Sequence, residues 1–406
     1  MTGCPALRAN DASWMNPLAG ALVLAVGMGF GRFSFTGMYP LMVHDGQLTV
    51  SGGSLAASAN YLGYLIGALI LSRVHHRHST WLCQVAMIGT VWCLVALSLN
   101  PSLVPLLTVR LLAGIFSALA MVSASTWLFE LVDSHHGAPI LYSGVGIGIL
   151  VSAELIAGSH RAGLSSAAGW DILAAAAALL CAWAWPRVSW ETDARIPDQA
   201  GFNDPIQRTG QWISPWVMIL VYGLAGFGYI VTATYLPLFV KNALGDIDPV
   251  QVWAAFGLAA VPSCFLWHWL HHHLGSRAAL ILNLAVQAVG VLLPVLSPQG
   301  PAFLVSAVLV GGTFVGAVTI AIPAAKRIAA GVRFNMMAAM TAAYGVGQIA
   351  GPLVSSALLK NTNSSGPPLL AAGGGLVIAT LGCMVKRTAP RTEIKSRAAS
   401  PKVYVE

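Results

Sequence analysis

Charge is what this chain has least of. Asp, Glu, Lys and Arg together make up 9% of its 406 residues, where an ordinary soluble domain carries about 25%. Hydrophobic residues reach 56% and mean hydropathy is +0.73. A water-soluble fold of this length cannot hide so much apolar surface, but a fold surrounded by lipid need not hide it. Strand-type alternation is absent, so helices are left as the way to satisfy the backbone in hydrocarbon. Cysteine is sparse as well. Cys4, Cys83, Cys93, Cys181, Cys264 and Cys383 form no CxxC pair and sit mostly inside apolar runs. They read as small packing residues, not as a disulfide framework or a zinc site. No cofactor-binding signature is present either. Gly63-x-x-x-Gly67 and Gly144-x-x-x-Gly148 are intramembrane and follow no strand, so they read as helix contacts and not as nucleotide loops.

What is there is a series of bilayer-length apolar runs, each of about 20 residues. They fall at 17–43, 53–72, 80–98, 103–129, 139–158 and 167–186, then at 214–240, 250–270, 278–296, 302–324, 335–358 and 367–385. The expected fold is an all-α membrane protein with twelve transmembrane helices in two six-helix pseudo-symmetric bundles. The polar lead 1–16 runs straight into the first apolar segment, which is too long for a cleaved signal, so insertion is expected through that span. With the N-terminus inside, sixteen of the 21 Lys and Arg fall on the inner side, and only Arg161, Lys241 and Lys360 fall outside. The positive-inside rule therefore predicts an inner-membrane protein with both termini cytoplasmic. It also accounts for the formal charge of +7 without a nucleic-acid partner.

The longest connection, 187–213, is polar and carries Pro197 and Pro205. It divides the chain into an N-terminal bundle (1–186) and a C-terminal bundle (214–385), followed by a basic tail (386–406) expected to be disordered. The halves resemble each other. Gly29-Phe30-Gly31 recurs as Gly226-Phe227-Gly228, 197 positions later. Pro40-Leu41 and His75-His76 recur at the same offset as Pro237-Leu238 and His272-His273. Gly144-Val145-Gly146 recurs as Gly345-Val346-Gly347. Two similar halves in parallel orientation suggest alternating access about a midplane site.

These features resemble the major facilitator superfamily over the whole chain. Arg110-x-x-x-Gly114 is similar to its motif B, Gly347-x-x-x-Gly351-Pro352 to motif C, and Leu274-Gly275-Ser276-Arg277 to the end of motif A. Gly29-Phe30-Gly31-Arg32-Phe33 with Asn60-Tyr61-Leu62-Gly63-Tyr64 resembles the YbfB/YjiJ branch. The resemblance implies the fold, solute transport and a monomer, and gives no substrate. One departure stands out. Gly67-Ala68-Leu69 is followed by Ile70, Leu71, Ser72 and Arg73, without the acid of the motif-A latch.

Ionisable residues inside spans are costly and usually face a cavity or a partner. Arg32, Arg110 and Glu154 are the three candidates, all at similar depth. The expectation is that Glu154 pairs with one of the arginines and carries a coupling proton, while Arg32 holds it or binds an anionic solute group. A static ion pair pinning three helices is the alternative. Arg32, Thr36 and Tyr39 form one stripe and Asn60 and Tyr64 another. Tyr222 and Tyr229 follow on the seventh span, and Tyr344 and Gln348 on the eleventh. Each either touches solute or bonds a neighbouring helix. The histidines at 75, 76, 78, 135, 136, 268 and 271–273 could suggest a metal, but they sit at the predicted rim beside arginines, and no metal site is expected. The leading expectation is therefore proton-coupled secondary transport of a small organic solute. A facilitated-diffusion uniporter and a sensor or scaffold of the same fold are the rivals. A membrane enzyme lacks clustered catalytic groups.

Overall fold

The computed structural model describes residues 14–71, 76–189, 213–240, 248–329, 332, 334–362 and 364–385. Most of the expected linker, from 190 to 212, and the tail from 386 onward lie outside these, as do Arg73 and His75. Among the described residues, eleven helices are long and apolar enough to cross a membrane. They are α1 (Met15–His44), α2 (Val50–Leu71), α3 (Ser79–Ser98), α4 (Leu103–Leu131), α5 (Ala138–Arg161), α6 (Ser166–Val188), α7 (Pro215–Phe239), α8 (Val250–Leu296), α9 (Gly300–Ala325), α10 (Met336–Thr362) and α11 (Gly366–Met384).

The count differs from twelve because of α8. The loop expected between 270 and 278 is replaced by one non-helical residue, Gly275, with φ 76° and ψ 164° inside a 47-residue element. Only glycine adopts such a backbone without a steric penalty, so the chain turns there without a polar loop. The two limbs of α8 run antiparallel, as their contacts with α9 reveal. Phe256 lies at Gly311 and Trp267 donates to the Gly312 carbonyl at 2.6 Å. Beyond Gly275 the order reverses: Asn283 donates to Thr313 O at 2.9 Å and Gly290 lies at Leu309. Just past the turn, Arg277 donates to the carbonyls of Cys383 and Met384, satisfying orphan acceptors at the end of α11.

The outer surface is apolar, as lipid requires. On α3, Trp81, Ile88, Trp92 and Val95 are all exposed, and their spacing of 7, 4 and 3 marks one helix face. The buried faces are lined instead with small residues. Gly63 of α2 lies on the Leu111 backbone of α4, and Gly114 of α4 lies on the Asn60 backbone of α2. Gly144 and Gly148 of α5 lie in the same way on Ala21 and Ala25 of α1. The small-residue spacing thus works as helix contact.

The first six helices meet the last five mainly through α2 with α10, α5 with α8, and the C-terminal part of α1 with α7. Hydrogen bonds crossing this boundary cluster on the side where α1 ends. Ser54 Oγ and Tyr235 OH lie 2.6 Å apart, Trp253 Nε1 donates to Phe33 O at 3.1 Å, and Tyr235 OH donates to Pro352 O at 3.0 Å within the last five helices. Thr36 Oγ1 donates to Ala233 O at 2.6 Å. These two positions are 197 apart, the offset of the repeated Gly-Phe-Gly, so Thr36 meets its own repeat equivalent. A Cβ at Gly114 would stand 2.0 Å from the Asn60 carbonyl oxygen. Gly114→Val should therefore separate α2 from α4 and cost about 1–3 kcal/mol or more, read as a lower thermal midpoint in detergent, with Gly114→Ala falling between it and the parent.

Candidate functional site

Arg32 stands where α1 changes its winding. Residues Ala25–Phe33 form a π-helix between two α-helical segments, Met15–Leu24 and Ser34–His44. A π turn widens the helix and shifts its bonding by one residue, which disturbs the i→i−4 ladder at its end. Arg110 of α4 answers that disturbance. Its Nη1 donates to Gly31 O at 3.1 Å and its Nη2 to Arg32 O at 3.2 Å. The guanidinium is 1% exposed and lies 4.4 Å from the centre of the Phe35 ring. Asn60 Nδ2 completes the arrangement by donating to Arg110 O at 3.0 Å. Ser117 Oγ donates to Gly27 O at 2.6 Å, one turn earlier on α1. Arg110 is thus a clamp on the α1 backbone.

Arg32 itself has no such engagement. It is 2% exposed, and no described residue accepts a hydrogen bond from its Nε, Nη1 or Nη2. Its guanidinium lies over Tyr64 at 4.1 Å, with Tyr61 at 5.0 Å and Phe33 at 5.3 Å. Cation–π attraction offsets part of the cost of burying the charge, but it does not use the in-plane N–H groups. Among the described residues the buried ionisable charges are Arg32 and Arg110, with no buried acid beside them.

From Phe33 a chain of rings crosses to the last five helices. Phe33 meets Phe314 edge-on at 5.9 Å, Phe314 stacks on Tyr229 at 5.5 Å, Tyr229 on Tyr344 at 5.9 Å, and Tyr344 on Tyr222 at 4.5 Å. Gln348 Nε2 donates to Tyr229 OH. Arg32, Tyr64, Tyr222, Tyr229, Tyr344 and Gln348, all singled out in the sequence, therefore gather in one region spanning both sets of helices. Tyr61, Phe33 and Phe314 join them without having been singled out. Tyr61 could have been found from its i, i+3 spacing to Tyr64; Phe314 is one apolar residue in an apolar run and carries no such signal.

Other predicted positions are occupied elsewhere. Thr36 is spent on Ala233 O, and Tyr39 OH donates to Val50 O at 2.6 Å while its ring stacks on Phe35. Asn60 serves Arg110. Glu154 differs most from expectation. Its side chain is 47% exposed, 3.9 Å from Arg161 Nη2, and Gln251 Nε2 donates to it at 3.4 Å. The structure does not hold the expected pairing with Arg32 or Arg110. The reason is azimuth: α5 buries Ile149, Ser152, Ala153, Ile156 and Ala157, and Glu154 lies off that stripe. Nearly two turns further, His160 Nδ1 and Asp248 Oδ2 approach to 2.8 Å, so this end of α5 meets the start of α8 through polar groups. The rim histidines bond locally, His271 Nε2 with Ser276 Oγ at 2.9 Å and His273 Nδ1 with Trp269 O at 2.9 Å.

If Arg110 clamps the π turn, Arg110→Met removes two hydrogen bonds from a charged donor, worth about 1.5–3 kcal/mol each. Its thermal midpoint should fall well below that of the parent, and Arg110→Lys, with a charge but no planar fork, should recover only part of the loss. An unchanged midpoint in Arg110→Met would show that the α1 backbone does not depend on the clamp.

A family model described as "Uncharacterised MFS-type transporter YbfB" matches residues 24–383. No curated protein matches the chain.

Proposed function

We propose that this chain, which belongs to the family of MFS-type transporters of the YbfB type, moves a small organic solute with an anionic group by alternating access, binding it at Arg32. The observation that carries this reading is the Arg32 guanidinium, buried with three nitrogens that no described residue accepts from. A charge so placed is expensive unless a partner of opposite sign completes it, and the described residues supply no buried acid there. A solute carboxylate or a similar group is the missing partner.

In this reading α8 crosses the membrane twice about Gly275, so eleven long helices make twelve crossings in two six-helix bundles. The bundles are 1–186 and 214–385, with both termini on the cytoplasmic side of an inner membrane. The described conformation is then closed at the outer end. Its bundles are joined at the outer end, by Thr36 to Ala233, Ser54 to Tyr235 and His160 to Asp248, and the solute enters from the side of the termini. Rocking of the bundles breaks these bonds and forms others at the inner end.

A proton-coupled form of the cycle draws support from the outer α5–α8 contact. There Glu154 faces Arg161 and Gln251, and His160 faces Asp248. A proton taken up by Glu154 would weaken its acceptance of the Gln251 hydrogen bond across this contact, so coupling acts on the outer closure and not on the solute group. Facilitated diffusion is the same cycle without that step.

Alternating access is tested with spin labels at His160→Cys and Gln251→Cys in an otherwise cysteine-free background. Distance measurements in liposomes should give two populations, one short as described here and one longer. A single short distance under every condition of pH and lipid would contradict the rocking cycle.

A further inference from the structure

We infer that the solute is a small aromatic monocarboxylate, an inference that rests on the site assigned above to Arg32. The charge count comes first. Both buried arginines are cations, but the Arg110 fork is spent on Gly31 O and Arg32 O. One guanidinium edge is left for a ligand, which matches one carboxylate and leaves a second anionic group without a partner. A cationic ligand would meet Arg32 with no buried acid among the described residues to offset it.

Hydrogen-bonding capacity comes next. A sugar or other polyol needs many donors and acceptors around it, and several hydroxyls on these helices are already engaged. Thr36 bonds Ala233 O, Tyr39 bonds Val50 O, Tyr61 OH lies 3.0 Å from Thr234 Oγ1, and Ser54 lies against Tyr235. The Tyr229 hydroxyl, on the ring stacked against Tyr344, and the Gln348 amide bond each other. Gln348 Oε1 is buried and receives no hydrogen bond, so a ring hydroxyl on the ligand is tolerated there.

The body of the ligand follows from the rings that line the site. Phe33, Tyr61 and Tyr64 surround the guanidinium, and Phe314, Tyr229 and Tyr344 continue from them with interplanar angles of 17° and 21° between successive stacked rings. Arginine pairs with a carboxylate through two parallel N–H···O bonds in the guanidinium plane. A carboxylate conjugated to a ring keeps that ring in the same plane, where aromatic faces can stack on it. A saturated ring of equal size presents no flat face and loses those contacts.

The test uses the full chain in detergent, with thermal unfolding and equilibrium dialysis of labelled benzoate. Cyclohexanecarboxylate, acetate, benzyl alcohol and benzylamine serve as competitors. Benzoate should raise the midpoint and bind at least tenfold more tightly than cyclohexanecarboxylate, while benzyl alcohol and benzylamine should not compete. Arg32→Gln should abolish benzoate binding. Tyr64→Leu, which keeps the guanidinium, should bring benzoate down to the level of cyclohexanecarboxylate, and it decides the question if Arg32→Gln does not fold. Equal binding of benzoate and cyclohexanecarboxylate would overturn the aromatic class and leave the anion site standing. Binding of benzyl alcohol or benzylamine that survives Arg32→Gln would overturn the anion site as well. No binding of any probe would overturn this inference, while the spin-label distances would still report separately on the transport cycle.

Discussion

A guanidinium withdrawn from water demands acceptors, and much of this structure is arranged around two that are withdrawn in different ways. Arg110 takes its acceptors from the backbone of α1. Arg32 takes none from the described chain and rests on aromatic faces. The two are coupled, because one of the carbonyls that Arg110 holds belongs to Arg32 itself. Fixing the backbone of one arginine with the side chain of the other gives the free guanidinium a defined place without using any of its own donors. A static ion pair would have consumed both charges.

The winding of α1 shapes this arrangement. In an uninterrupted α-helix the carbonyls of Gly31 and Arg32 would each bond the amide four residues on, and Arg110 would only share them. The π segment alters that ladder, and the glycines at 27, 29 and 31 let α4, α5 and α3 approach it closely enough to matter. The same helix then makes the boundary contacts, with Thr36 on Ala233 and Phe33 accepting from Trp253. Site and boundary are therefore built on consecutive turns of one element, so a ligand that shifts Arg32 acts on the helix that joins the two sets.

Much of this was legible in the sequence because lipid is a demanding solvent. The span limits follow from hydropathy alone, and the repeat offset of 197 reappears in the Thr36–Ala233 hydrogen bond. Arg32 and Arg110 were marked by the cost of burying charge. The fate of Glu154 was not legible. Depth along a helix can be counted from the sequence, but the direction a side chain faces depends on which stripe of that helix its neighbours cover, and Glu154 lies outside the stripe of Ser152, Ala153 and Ile156. Arg32, Thr36 and Tyr39 do all face α2 or α7, at Tyr64, Ala233 O and Val50 O, but that the last two spend their hydroxyls on backbone carbonyls was not legible. The turn at Gly275 was read as a loop because two antiparallel helices usually need one; a single glycine at positive φ suffices.

The central claim is that Arg32 holds its charge ready for an anion from outside the chain. The most direct measurement is an experimental structure of the full protein with 4-bromobenzoate, in which the bromine is located by its anomalous signal. The account predicts the carboxylate within hydrogen-bond distance of Arg32 and the bromine among Phe314, Tyr229 and Tyr344. It would be contradicted by a map in which a carboxylate of the chain itself occupies the Arg32 fork and the bromine lies elsewhere.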